Sequence, residues 1–140
     1  MKNKRVYVAG HNGMVGSAVK RKLESEGFTN LIIKSRSELD LTRQRETGDF
    51  FELEKPQVVI IAAAKVGGIQ ANNSQKAQFL YDNLMIESNI INSAINTGVE
   101  KLIFLGSSCI YPKFSQQPIK EEYILSDKLE PTNEAYSIAK

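Results

Sequence analysis

A phenol and an ammonium stand four residues apart at Tyr136 and Lys140, and a hydroxyl and a thiol stand two apart at Ser107 and Cys109. If the first pair shares a helical face, the lysine favours the phenolate of the tyrosine, and a tyrosine so tuned exchanges a proton with a carbonyl oxygen. Ser107 can donate to the same oxygen as negative charge grows on it. Ser107, Tyr136 and Lys140 thus make a complete set for reducing a ketone by hydride transfer. The Cys109 thiol suits a further step, removal of a proton from a carbon beside a carbonyl. Each residue alone also has a plainer reading. Ser107 or Ser108 can cap a strand end, Tyr136 and Lys140 can be a surface pair, and an unpaired cysteine is usually a small buried apolar side chain.

A hydride needs a carrier, and the other end of the chain offers a place for one. Gly10, Gly13 and Gly16 follow a strand-like run and open a helical one, with His11, Asn12, Met14 and Val15 between them. A tight turn, a close approach to a pyrophosphate and the packing of helix on strand each call for a residue without Cβ, and the N–H groups of the first helical turn attract an anion. The segment from Gly10 to Gly16 is therefore expected to hold a dinucleotide, with His11 shaping the loop. A plain tight turn is the alternative. After the second strand comes Lys34-Ser35-Arg36, and a guanidinium there favours a 2′-phosphate and hence NADP(H) over NAD. Glu38 and Asp40 are near enough to leave Arg36 a second reading as a solvated surface residue.

The elements that must position these groups alternate. Arg5 to Ala9, Asn30 to Lys34, Val58 to Ala64 and Lys101 to Leu105 read as strands, and Val15 to Glu26, Arg43 to Leu53 and Ser74 to Thr97 as helices. Apolar faces are expected at Val15, Val19 and Leu23 in the first helix, and at Phe79, Leu84, Ile91 and Ile95 in the third. Gly27 and Gly98 end two of the helices. The nearly continuous apolar run from Val58 fits a strand buried on both faces. Such alternation predicts an α/β fold, a Rossmann-like doubly wound parallel sheet with about four strands present and so incomplete. Tyr111 to Thr132, with Pro112, Pro118 and Pro131, reads as an irregular loop. It begins where ligands sit in such folds, beyond the carboxyl end of a strand. There the segment Leu105-Gly106-Ser107-Ser108-Cys109-Ile110-Tyr111-Pro112 puts hydroxyls and a thiol at the sheet edge where a nicotinamide would lie, with Cys109 on the same strand face as Ser107.

Bulk properties narrow the classes. The chain has 140 residues, one domain's worth, and 41% of them are apolar. A net charge of +2, with dispersed basic residues, argues against nucleic-acid or membrane partners. No apolar run spans a bilayer and no signal peptide precedes the first strand, so a cytoplasmic protein is expected. One cysteine and one histidine exclude a disulfide framework and leave no metal-ligand set.

Longer blocks carry a specific resemblance. Gly10-His11-Asn12-Gly13-Met14-Val15-Gly16-Ser17-Ala18, Ala62-Ala63-Ala64-Lys65-Val66-Gly67-Gly68-Ile69, Asp82-Asn83-Leu84-Met85-Ile86, Phe104 through Pro112 and Leu129 through Tyr136 resemble the GDP-L-fucose synthase family of extended short-chain dehydrogenases. The resemblance implies an NADPH-dependent enzyme that epimerises GDP-4-keto-6-deoxy-D-mannose at C3 and C5 and reduces its C4 ketone to give GDP-L-fucose. It also implies that Ser107 and Tyr136 hold the ketone oxygen, that Lys140 grips the nicotinamide ribose, and that Cys109 is the epimerisation base. Leu105 to Ser108 would then line the nicotinamide, Arg36 would meet the adenosine phosphate, and a homodimer is expected. One departure is Asn12, where some relatives carry an arginine. The family's second epimerisation acid, a histidine, and its smaller GDP-sugar domain lie beyond Lys140, so residues 1–140 are expected to be an N-terminal NADP-binding part, inactive by itself. The competing readings are another nucleotide-sugar epimerase or dehydratase, and a non-catalytic NADP-binding module.

Overall fold

A computed structural model describes residues 2–140, which form two compact units. The first comprises the chain up to Ala64 with Met85–Leu105, and the second Lys65–Leu84 with Gly106–Lys140.

The first unit is built on a parallel sheet of four strands, β1 (Val6–Ala9), β2 (Leu31–Ile32), β3 (Val58–Ile61) and β4 (Lys101–Phe104), in the order β2-β1-β3-β4. The chain steps outward from β1 to β2, then crosses back over β1 to β3. The order reverses there, and the crevice at the carboxyl ends of β1 and β3 is where such sheets receive ligands. Ala9 stands opposite Ile61, and Ile61 opposite Phe104, so these three strand ends are level.

The connections are α1 (Met14–Ser25), α2 (Gln44–Glu54) and, leading to β4, α3 (Ile69–Ser74) and α4 (Lys76–Asn96). Alternation along the strands explains why both faces need helices. Val6, Val8 and Ile60 are buried against Val19 and Leu23 of α1 and against Phe28. Tyr7, Ala9, Val59 and Ile61 face the other way, onto Phe50 and Phe51 of α2 and Ile90 and Ala94 of α4. A strand with apolar residues on both faces has no polar alternation to show, which is why β3 is a plain apolar run. β4 departs from this pattern: Leu102 and Phe104 pack on the second core while Lys101 and Ile103 are exposed.

Among the described residues, Tyr7 is the largest side chain that is fully buried. Its ring lies 4.8 Å from that of Phe50 and 5.9 Å from that of Phe51, in tilted and edge-on geometry. Burial pushes its phenol well above the ordinary value of about 10. The neutral phenol is favoured in the folded state, so its contribution is fully present below the unfolded value and is lost as pH rises beyond it. Unfolding free energy is therefore expected to fall by about 1.4 kcal/mol per pH unit above pH of about 10, and Tyr7→Phe should flatten that slope. Urea titrations of the two proteins across the alkaline range check this. Equal slopes would refute it.

Several sequence expectations need correction. In α4 only Phe79 of the expected apolar face is buried, while Leu84, Ile91 and Ile95 are exposed. The inward face instead carries Asn83, Asn89, Ile90, Ser93 and Ala94. Apolar residues occur on two faces of this helix, and the face turned inward carries amides that bond backbone carbonyls: Asn89 donates to Leu41 O at 2.9 Å and Asn83 to Phe79 O at 2.8 Å. Val15 is also exposed, at the open first turn of α1. β2 is shorter than the run Asn30 to Lys34 suggested: only Leu31 and Ile32 pair with β1 at the sheet edge. β3 stops at Ile61, and Ala62–Gly68 runs on as loop.

In the second unit α3 precedes α4, and 3-10 turns occupy Ser108–Ile110 and Glu121–Tyr123. A short helix, α5 (Glu134–Ala139), follows the long irregular stretch that the prolines predicted. That stretch is tied locally: Lys113 N–H donates to Lys128 O at 3.0 Å, and the Lys113 ammonium lies 3.7 Å from the Glu130 carboxylate.

Candidate functional site

Two of the three glycines are required by close contacts. Gly10 has φ +81°, and a Cβ there would lie 2.6 Å from the backbone nitrogen of Ala63. At Gly16 a Cβ would fall 2.1 Å from the Gly10 carbonyl oxygen, so α1 starts in direct contact with the turn it leaves. Gly13 differs, since its nearest neighbour would be that same oxygen at an ordinary 3.4 Å. Its N–H donates to Gly10 O at 2.9 Å and closes the turn. Gly13 is also the N-cap of α1, with no side chain to satisfy the helix's first N–H groups and no acidic residue in the first turn. Asn12, Gly13, Met14 and Val15 are exposed around that end. His11 is half-buried, and its Nδ1 is buried without a hydrogen-bond partner.

Beyond β2 the acidic residues that complicated the reading of Arg36 are already engaged. Ser35 donates to the Glu38 carboxylate from its N–H at 2.8 Å and from its hydroxyl, and that hydroxyl bond is the main reason the Glu38 carboxyl is held below its ordinary value. Asp40 accepts from the Thr42 hydroxyl at 2.8 Å and from its N–H at 3.1 Å. Both carboxylates serve local turns. Arg36, just before them in the chain, is exposed.

The second unit holds the proton-handling candidates. Ser107 is the N-cap of the 3-10 turn Ser108–Ile110, and the Cys109 thiol donates to its hydroxyl oxygen at 2.9 Å. The chain leaves the strand path at Ser107, so Cys109 does not share a pleat face with it as expected; the turn folds the thiol back onto the hydroxyl. Residues of α5, which carries Tyr136, pack against this turn. Lys140 lies at the C-cap of α5, where its N–H donates to Ser137 O at 3.3 Å. Tyr136, Lys140, Ser107 and Cys109 are all half-buried, while Gly106 and Ser108 are exposed. Leu105 belongs to the first unit and extends the ladder past β4, donating to Ile61 O at 3.3 Å.

Sequence reasoning missed an anchoring network in the same unit. Asn83 accepts the Lys65 N–H at 2.7 Å and donates to Lys65 O at 3.0 Å, a two-way clasp on the loop after β3. The Lys65 ammonium bonds Asp82 at 3.1 Å and lies 5.5 Å from the centre of the Phe79 ring. The signal available was the Asp82-Asn83 pair inside an otherwise apolar helical pattern. Among the described residues no cluster of His, Cys, Asp and Glu could hold a metal, and no helix is long and apolar enough to cross a membrane.

A parallel sheet whose first strand turns through glycines into a helix defines this protein as a Rossmann-type α/β domain. Residues 6–140 match the NAD dependent epimerase/dehydratase family, and the chain belongs to that family. GDP-L-fucose synthase 1 of Arabidopsis thaliana is 60% identical over 99% of this chain, which spans 43% of that protein. GDP-L-fucose synthase of Escherichia coli strain K12 is 55% identical over 100% of the chain, which spans 44% of it. Among solved structures, MlghC, a GDP-mannoheptose C4 reductase from Campylobacter jejuni with NADP bound, superposes with a TM-score of 0.96 at 41% identity, covering 100% of this chain and 44% of that one. The chain therefore spans less than half the length of these relatives.

Proposed function

We propose that these residues form the NADPH-binding and proton-transfer part of an enzyme that epimerises GDP-4-keto-6-deoxy-D-mannose at C3 and C5 and reduces it at C4, giving GDP-L-fucose. The observation that carries this reading is the packing of the Tyr136 helix on the Ser108–Ile110 turn, with the Cys109 thiol and the Ser107 hydroxyl 2.9 Å apart, in a chain 60% identical to a GDP-L-fucose synthase.

The residues present fit NADP(H). Backbone fills the space a Cβ would need at Gly10 and Gly16, the exposed start of α1 has neither a capping side chain nor an acidic residue, and Arg36 is the cation beside occupied carboxylates. Gly10 to Gly16 would hold the pyrophosphate, Arg36 the 2′-phosphate, Leu105 to Ser108 the nicotinamide and Lys140 its ribose. When bound, NADPH supplies the hydride for C4 of the sugar. Ser107 donates a hydrogen bond to the ketone oxygen, and Tyr136 gives that oxygen its proton as the alcohol forms. The Lys140 ammonium stabilises the phenolate left behind. Cys109 acts as the base that takes the proton from a carbon adjacent to the ketone; the enolate is stabilised by the same oxygen contacts, and a proton returned to the opposite face of that carbon by a second acid completes the inversion. One ketone thus serves both steps.

A homodimer belongs to the same reading, supported by the exposed Leu84, Ile91 and Ile95 on one side of α4. So do a cytoplasmic location and the assignment of residues 1–140 to the cofactor domain.

The test is to incubate the intact protein with NADPH and the keto-sugar in D2O. Expected are equimolar NADPH oxidation and deuterium at C3 and C5. Cofactor binding with an untouched sugar would overturn the reading and favour a cofactor-sensing module. A narrower expectation concerns Arg36→Ala, which should weaken NADPH binding by about tenfold or more and leave NADH binding nearly unchanged. Fluorescence titration with each cofactor measures both, and equal losses would remove Arg36 from the 2′-phosphate site.

A further inference from the structure

We propose that Asn72 is a positioning residue for Tyr136, acting through Asn133 at the start of α5. The inference rests on the reading of Tyr136 given above.

Asn133 is the N-cap of α5, and Tyr136 is the third residue of that helix. An asparagine at an N-cap ordinarily turns its side-chain oxygen back onto the N–H of the second or third helical residue. Asn133 makes no such bond. Its Oδ1 instead accepts from Nδ2 of Asn72 at 2.8 Å, across 61 positions of sequence. Its backbone is committed as well: the N–H donates to Glu130 O at 3.1 Å, and the carbonyl accepts both the N–H and the hydroxyl of Ser137 at 2.9 Å. The N–H, the carbonyl and Oδ1 of Asn133 are thus all used, and the oxygen that would have served the helix is given to α3.

The Asn72 amide is fixed in orientation. Its Nδ2 also donates to Gly67 O at 3.3 Å, so the NH2 group lies between two acceptors while its Oδ1 is buried with no partner. Leaving a buried acceptor unpaired is costly, and the amide cannot be reversed without setting two oxygens against its own. A second bond runs alongside, from the Lys76 ammonium to Pro131 O at 3.0 Å. The Glu130–Thr132 turn between these points is closed by bonds from the Thr132 N–H and hydroxyl to the Glu130 carboxylate. The segment entering α5 is therefore held from outside at Pro131 and Asn133. A helix of six residues has little stability of its own, so the position of its first residue sets where its third presents a side chain. The Asn72 tether does for the phenol what a longer helix would do by its own rigidity.

The experiment uses the intact protein and the variants Asn72→Ala, Asn133→Ala, the double variant and Asn133→Asp. Asn72→Ala should lower kcat for keto-sugar reduction by about tenfold, with KM for NADPH and sugar nearly unchanged and the alkaline limb of the pH profile displaced. Asn133→Ala should match it, the double variant should be no worse than either, and Asn133→Asp, which keeps an acceptor, should stay near wild type. Amide hydrogen exchange of residues 134–140 should speed up by about tenfold in Asn72→Ala, with Val6–Ala9 and Val58–Ile61 unchanged. Unchanged kcat, additive losses or unchanged exchange would each overturn the proposal. If the wild-type protein leaves the keto-sugar untouched, the functional reading falls, while the exchange measurement still decides whether Asn72 holds α5.

Discussion

Gly16→Ala is expected to cost about 3 kcal/mol of folding stability and to abolish tight NADPH binding. The added carbon would stand 2.1 Å from the Gly10 carbonyl oxygen, well inside contact distance and against backbone that cannot swing aside. That oxygen is also the acceptor that closes the turn from Gly13. The strain can be relieved only by lifting α1 off the strand end or by opening the turn, and either moves the N–H groups proposed to meet the pyrophosphate. Gly48→Ala is the matched control. It lies inside α2 with nothing within 4 Å of a new Cβ, and should stabilise by about 0.5–1 kcal/mol with no effect on the cofactor. Denaturant midpoints and fluorescence titration read both effects. An alanine at position 16 that leaves midpoint and affinity untouched would mean that the turn is not packed as described.

Tyr136→Phe should reduce the rate of ketone reduction by about 10²–10⁴, the range for loss of a positioned general acid, while NADPH affinity stays within about twofold. The substitution removes one oxygen and leaves the ring, so the packing of α5 on the Ser108–Ile110 turn should be retained. Cys109 takes the carbon-bound proton and Ser107 still donates to the ketone oxygen, so deuterium should still enter the sugar from D2O, with a smaller loss of rate than the reduction suffers. That separation is the informative part. Loss of both steps together would indicate that the phenol is needed to polarise the ketone for either, and loss of neither would remove Tyr136 from the site.

The scaffold was largely legible in the chain because its signals are local. Each strand is centred on an apolar run, Gly10 and Gly13 stand where one element gives way to the next, and the prolines after Tyr111 mark an irregular path. What escaped has no local signature. Ile69–Ser74 has no apolar periodicity and forms as a short turn of helix after Gly68, with Gly67 backed against the Phe79 ring. Strand alternation continued past Phe104 puts Cys109 on the face of Ser107, whereas the strand ends at Phe104 and the 3-10 turn brings the thiol to Ser107. The competition between Arg36 and its acidic neighbours could not be resolved from order alone, since it depends on which hydroxyls the two carboxylates have taken. The Asn72–Asn133 bond joins residues too far apart in sequence for spacing to suggest it.

The buried amides of α4 have a consequence for how loops are set in this fold. Asn83 and Asn89 reach out of the helix to Lys65 and Leu41, so α4 fixes the path of segments that have no regular structure of their own. Apolar side chains at those positions would supply cohesion but no direction, because oily contacts tolerate sliding and a hydrogen bond does not. The helix acts as a template as much as a wall, trading some greasy surface for a few polar dowels that tell the connecting chain where to lie.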